Sequence, residues 1–141
     1  MLRADPIVLD THIWLDVAIG RGRFLPRVVR RLNAAADAGT LYVAAITPWE
    51  IAMLARAGKI RIGEPLAGWL DGALSSTRTG IAALEPAIAV DAVDLPWTHG
   101  DPADRLIVAT ARHRNALLVT RDGAILEYAE ASKAVRTLEP S

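Results

Sequence analysis

The sequence predicts an α/β fold: a three-layer α/β/α sandwich whose central sheet is mostly parallel and has about five strands. Three observations predict it. Short apolar runs alternate along the chain with longer segments of helical period. Those runs are apolar throughout rather than at every second residue, as in strands buried on both faces. The 141-residue chain, 52% hydrophobic and 23% charged, can fill one core, and no linker, repeat or low-complexity tract divides it. Residues 1–141 are therefore expected to form a single domain.

The elements follow in order. Ile7 to Asp10 reads as a buried strand ending in an acid, and "THIWLDVAIG" as a helix stopped by Gly20. "LPRVVRRLNAAADAG" is a helix with Pro26 near its start and Gly39 at its end, the usual asymmetry of helix termini. Leu41 to Ile46 is a second buried strand, followed by the helix "TPWEIAMLARAG". "EPLAGWLDGALSST" is a helix weakened by Gly68 and Gly72, "GIAALE" a short strand, and "PAIAVDAVDLP" a helix between two prolines. The helix "DPADRLIVATARHRN", the buried strand "ALLVT", the helix "GAILEYAEASK" and a final edge strand "VRTLE" complete the chain. Right-handed crossovers put the loops that follow the strands on one edge, where open α/β sheets bind ligands.

Composition excludes several functions. The chain has no cysteine, which rules out disulfides and thiolate metal sites and fits a reducing, cytoplasmic setting. No apolar run reaches 18 residues, and the N-terminus, with Asp5 and Asp10, lacks the apolar stretch of a secretory signal, so no membrane association is expected. The net charge is zero and gives no bulk argument for nucleic-acid binding. The basic residues are nevertheless 14 Arg against 2 Lys, and the chain holds 26 Ala, a pair of biases that a GC-rich coding sequence also produces.

Four acids stand at helix starts. Asp10 and Asp122 end strand segments; Glu50 and Asp104 sit in the similar tetrads Thr47-Pro48-Trp49-Glu50 and Asp101-Pro102-Ala103-Asp104, each reading cap, proline, any residue, acid. On a helical wheel Glu50 falls in line with Met53, Leu54 and Ala57, and Asp104 with Ile107, Val108 and Ala111. Each acid is thus expected on an apolar stripe, with Arg105 and Arg112 on the solvated side of the later helix. Taken singly, any of these residues reads as a cap or as a favourable charge at the helix dipole. Together, four carboxylates at one sheet edge would repel in a partly dehydrated cleft, and a hard divalent cation such as Mg²⁺ or Mn²⁺ would relieve that. The three histidines, His12, His99 and His113, make a zinc site a poor alternative.

The segments "VLDTHIWLDVA", "ITPWEIAML", "HGDPADRLIVATA" and "LLVTRDGAI" together resemble PIN-domain ribonucleases, specifically VapC-type toxins of bacterial toxin–antitoxin pairs. They occur in that family's order over nearly the whole chain. The resemblance implies a metal-dependent endoribonuclease with Asp10, Glu50, Asp104 and Asp122 as its catalytic and metal-binding acids. It implies supporting roles for Thr11 and Thr120, an RNA substrate, a cognate antitoxin protein and a homodimer. Asp101 belongs to the variant "H-x-D-P-x-D-R" and is expected only to cap the helix. Ala103 stands where that subgroup often has a large residue.

The residues leave further expectations. Asp10 and Asp104 are expected to touch the cation directly, with Glu50 and Asp122 acting partly through water. Arg21, Arg23 and Arg27, with Arg30 and Arg31, form the densest basic segment and suit phosphate contacts or an acidic partner segment. The four tryptophans read as core or interface, Trp49 as core, and Ile13 and Trp14 as part of a subunit interface. His99 and His113 read as surface or loop residues. Rival chemistries fit less well: Asp10-Thr11-His12 lacks the D-x-D of haloacid-dehalogenase-type phosphatases, and Lys133 lies in a helix rather than after a strand as receiver domains require. A catalytically silent RNA- or protein-binding module is the remaining alternative, and its signature, a lost core acid, is absent.

Overall fold

The computed structural model describes residues 4–141. The chain runs β1 (Ile7–Leu9), α1 (Thr11–Ile19), α2 (Pro26–Asp37), β2 (Leu41–Ala44), α3 (Thr47–Arg56), α4 (Leu66–Ser76), β3 (Gly80–Ala82), α5 (Pro86–Asp94), α6 (Pro102–His113), β4 (Leu117–Val119), α7 (Gly123–Ser132) and β5 (Arg136–Leu138). All five predicted strands form one sheet in the order β3-β2-β1-β4-β5, and every pairing is parallel. The C-terminal strand lies at an edge, as expected. β2 stops two residues short of its predicted end because Ala45 and Ile46 turn the chain into α3.

The strands are short, and their residues divide the core. Ile7, Leu9, Val43 and Val119 face one side, where Ile13, Trp14, Val28, Leu32 and Ile51 of α1, α2 and α3 cover them. Val8, Ala44 and Leu118 face the other, under Ile107, Val108 and Ala111 of α6 and Ile125 and Ala129 of α7. Both faces of the central strands β1 and β4 are thus dry, which is why neither alternates. α5 sits outside α6, joined to it by Ile88, Ala92 and Ala109.

Trp14 belongs to this core rather than to a subunit interface. It is 1% exposed, its indole donates to Thr77 Oγ1 at 3.2 Å, and its ring meets Trp69 edge-on. Ile13 is buried beside it.

The order of connections positions the site. From β1 the chain moves outward through β2 to β3, then crosses back to β4 on the other flank of β1. The strand order therefore reverses between β1 and β4, and open α/β sheets bind ligands beyond the carboxyl ends of strands at such a point. The residues that follow them are Asp10 and the Thr120–Asp122 segment. No helix among the described residues is long and apolar enough to cross a membrane.

Candidate active site

Two strand ends and two helices deliver the acids. Asp10 follows β1, and the ladder continues one step beyond the strand through Asp10 N–H to Val119 O at 3.0 Å. The Asp10 carboxylate accepts from Thr11 N–H at 2.9 Å on Oδ1 and from the Thr120 hydroxyl at 2.6 Å on Oδ2. Thr120, fully buried after β4, in turn accepts from Asp122 N–H at 3.0 Å. One threonine therefore ties the ends of β1 and β4 together and aims the Asp10 carboxylate. Asp122 caps α7, accepting from Ile125 N–H at 3.1 Å.

A second hydroxyl pair orients Glu50. Thr11 Oγ1 donates to Glu50 Oε1 at 2.5 Å, which uses its single proton, so Thr47 Oγ1, 2.9 Å away, must donate to Thr11. The chain Thr47–Thr11–Glu50 links the start of α3 to the start of α1. It also corrects the predicted cap: Ile46, not Thr47, precedes α3, no side chain caps that helix, and Thr47 spends its hydroxyl on Thr11.

Asp104 arrives differently. It lies in the first turn of α6, 8% exposed, above Ile107, Val108 and Ala111, which are all completely buried. Its predicted place on the core stripe is therefore observed. Asp101 caps the helix by accepting from Ala103 N–H at 2.9 Å and Asp104 N–H at 3.4 Å. Asp104 Oδ2 lies 2.7 Å from His99 Nε2. His99 is thus a site residue that the surface reading of the histidines missed. The "H-x-D-P-x-D-R" pattern already carried the signal.

Glu50 does not share the arrangement of Asp104. Met53 is 50% exposed, Ala57 is exposed and Leu54 only half-buried, while the core side of α3 is Thr47 and Ile51. The helix is apolar on both sides, so the wheel alone selected the wrong one. Trp49, expected in the core, is 56% exposed for the same reason. Arg105, expected on the solvated face, is half-buried and donates to five backbone carbonyls.

Burial and repulsion act on these acids together. Burial pushes the Asp104 carboxyl up to about 6; the His99 bond opposes this, and Asp101, Asp122 and Asp10 add repulsion. Burial likewise raises Asp10 against the bonds from Thr120 and Thr11 N–H, with Asp122 adding to the rise. Glu50 is raised by burial, lowered by Thr11, and raised again by Asp10 and Asp101. Each carboxylate therefore feels its neighbours across one crevice. The tightest donor group is His99, Asp101 and Asp104, each placing one ligand atom within 4.8 Å of the others. Among the described residues Asp10, Glu50 and Asp122 form no trio that close. The predicted four acids share a sheet edge without converging on one point.

This donor set suits a hard divalent cation. It is mostly carboxylate oxygen with one imidazole, and burial makes Asp104 within it hold its proton more strongly than an ordinary carboxyl. The basic segment is spread out by comparison. Arg21 pairs with Asp16 at 3.1 Å, and Arg121 bridges Asp16 and Arg23 O. Arg27 is exposed near Arg30 and Arg31, and Arg31 pairs with Asp5 just before β1, the end of the sheet away from the acids.

Residues 7–131 match the PIN domain family. The chain is a PIN-domain protein. It is 41% identical over 124 residues to Ribonuclease VapC22 of Mycobacterium tuberculosis, covering 82% of this chain and 86% of that relative. This PIN domain is accordingly homologous to VapC-type toxins. Two solved structures share its fold at lower identity. VapBC2 from Rickettsia felis, bound to a DNA fragment from its promoter, superposes with a TM-score of 0.66 at 20% identity over 96% of this chain and 98% of that one. FitAcB from Neisseria gonorrhoeae gives 0.52 at 23% identity over 95% and 97%.

Proposed function

We propose that this PIN domain is a Mg²⁺- or Mn²⁺-dependent endoribonuclease and the toxin of a toxin–antitoxin pair. The observation that carries the reading is the acidic edge at the β1–β4 reversal. There Asp10, Glu50, Asp104 and Asp122 share one edge, and the carboxyl groups of Asp10, Glu50 and Asp104 are raised by burial first and by neighbouring carboxylates second. The 41% identity to a named ribonuclease supports the choice of RNA.

Asp10 and Asp104 hold the cation directly in this reading, with Glu50 and Asp122 completing the negative wall. A divalent cation held by these residues would supply positive charge at the phosphodiester and make water a better nucleophile. The chain's own residues prepare the site. Thr120 and Thr11 N–H fix both oxygens of Asp10, and Thr11 fixes Glu50. His99 fixes one oxygen of Asp104. Arg21 and Arg23 contact RNA phosphates near the cut, and Arg27 contacts phosphates farther from it. An antitoxin covers the acidic crevice, the toxin acts as a homodimer, and it works in the cytoplasm. The fold it shares with VapBC2 from Rickettsia felis, solved bound to a DNA fragment from its promoter, is compatible with that partnership.

The test is cleavage of RNA by purified protein. We expect activity with Mg²⁺ or Mn²⁺, none in EDTA, and none in Asp10→Asn. Equal activity in that variant, or activity without metal, would assign the cleavage to a contaminant and overturn the proposal.

A further inference from the structure

Arg105 satisfies all five of its N–H donors with backbone carbonyls of one loop. Nε donates to Ala92 O at 2.8 Å; Nη2 donates to Val93 O at 2.9 Å and Leu95 O at 2.8 Å; Nη1 donates to Trp97 O at 2.6 Å and His99 O at 3.3 Å. Among the described residues no carboxylate lies within salt-bridge distance of it. The first acceptors are carbonyls of the last turn of α5, the negative end of that helix, where an arginine is favourable. The last two lie in the segment that leads to the acidic site.

An aromatic stack holds the same segment from its other side. The Trp97 ring stacks on Tyr128 of α7 at 4.7 Å and 14°, and His99 lies against Trp97 at 4.8 Å and 31°. His99 is therefore fixed twice, by its carbonyl on Arg105 and by its ring on Trp97. Its Nε2 then meets Asp104 Oδ2 at 2.7 Å. Asp104 and Arg105 are consecutive, so one turn of α6 grips the loop by backbone and receives its histidine on a carboxylate.

We propose that Arg105 is a positioning residue for the carboxylate cluster, acting through the 92–99 loop and the Tyr128–Trp97–His99 stack to set the orientation of Asp104. The proposal rests on the ribonuclease reading for its kinetic arm and stands apart from it for its structural arm. A lysine keeps the charge at position 105 but offers three donors from a single point and cannot span five carbonyls. His99 then loses its fixed approach to Asp104 while α6 keeps its core contacts.

The experiment pairs kinetics with NMR. In metal-free protein labelled with ¹⁵N-histidine, the wild type should show a slowly exchanging His99 Nε2–H proton. The signal should vanish or broaden in Arg105→Lys and in Trp97→Leu, each confirmed folded by its backbone spectrum. In the cleavage assay Arg105→Lys should lower kcat about 10-fold to 100-fold with KM within about 2-fold, the scale of residues that orient a ligand. In a His99→Ala background the same substitution should change kcat by less than about 2-fold, because the path is already broken. An equal loss in both backgrounds, or a persistent Nε2–H signal in both folded variants, would overturn the proposal. Trp97→Leu carries the test, by the same cycle, if Arg105→Lys does not fold. A wild type without metal-dependent cleavage would defeat the ribonuclease reading and leave the NMR arm to decide the positioning role.

Discussion

Replacing Asp104 by asparagine separates a helix-stabilising carboxylate from a functional one. The Asp104 carboxyl is raised from 3.8 to about 6, first by burial and then by Asp101, Asp122 and Asp10, against the His99 bond. A raised carboxyl means that the folded protein keeps a proton the unfolded chain has already lost. Between pH 3.8 and 6 the wild type therefore loses stability as pH rises, and above about 6 it bears the whole cost. The shift corresponds to a ceiling of about 3 kcal/mol, at about 1.4 kcal/mol for each pH unit. Water at the 12% of the side chain that is exposed screens part of this, which leaves about 1–2 kcal/mol. Asparagine removes the charge and can still accept from His99. In EDTA at pH 8, Asp104→Asn should be more stable than wild type by that amount, a rise in Tm of roughly 3–6 °C. The difference should shrink as pH falls toward about 4. Cation should reverse the order, because saturating ligand at 100 times its Kd stabilises a competent protein by about 2.7 kcal/mol and the variant by less. Thermal melts at several pH values, with and without Mg²⁺, read all of this. A variant less stable than wild type at pH 8 in EDTA would mean that the carboxylate is there for the helix, and the reasoning would fail.

Other substitutions test neighbouring parts. Thr11→Val breaks the Thr47–Thr11–Glu50 chain and leaves Glu50 still harder to ionise; we expect a loss of about 1–2 kcal/mol in urea denaturation and about 10-fold weaker Mn²⁺ binding by calorimetry. Asp101→Asn should retain the cap of α6 and change stability by a few tenths of a kcal/mol, whereas Asp101→Ala should cost about 1 kcal/mol. Trp49→Ala should change stability by no more than about 0.5 kcal/mol, because the ring is more than half exposed. At limiting cation the cleavage rate should climb with pH through about 6 as Asp104 ionises, and a rate flat from pH 5 to 7.5 would contradict the shared site.

The legible parts of this site were those set by local period. Asp10 and Asp122 follow apolar runs too short for helices, so strand, acid and helix could be read in sequence. Asp104 could be placed because Ile107, Val108 and Ala111 recur at helical spacing and Arg112 marks the opposite face of α6, although Arg105, read with it, is half-buried. α3 lacks that contrast. Trp49, Ile51, Met53 and Leu54 surround the helix with apolar side chains, and which face turns inward depends on β2 and α1, not on the helix itself. Arg105 was illegible for another reason. A guanidinium on a helix normally marks solvent, and only the tertiary path of residues 92–99 reveals five carbonyls around it. His99 was hidden similarly, since its bond to Asp104 spans a loop whose shape Arg105 and Trp97 determine.

Helix capping explains some of these carboxylates and not others. Asp10, Asp101 and Asp122 each accept a backbone N–H at the start of a helix. Among the described residues Glu50 and Asp104 receive donors only from the side chains of Thr11 and His99. A capping box would have turned Asp104 back to the Asp101 N–H, and that bond is not among those formed. The helix dipoles do not balance the charge either. Four helix N-termini, those of α1, α3, α6 and α7, reach this edge and supply together about two elementary charges. Asp10, Glu50, Asp101, Asp104 and Asp122 bring five negative ones when ionised. Burial first, and this uncompensated excess second, hold the Asp10, Glu50 and Asp104 carboxyls above their ordinary range. A fold selected only for stability has cheaper options at positions 50 and 104, glutamine and asparagine among them. Keeping buried carboxylates that repel one another makes physical sense where a multivalent cation is to be bound, and that is the strongest argument for a functional role at this edge.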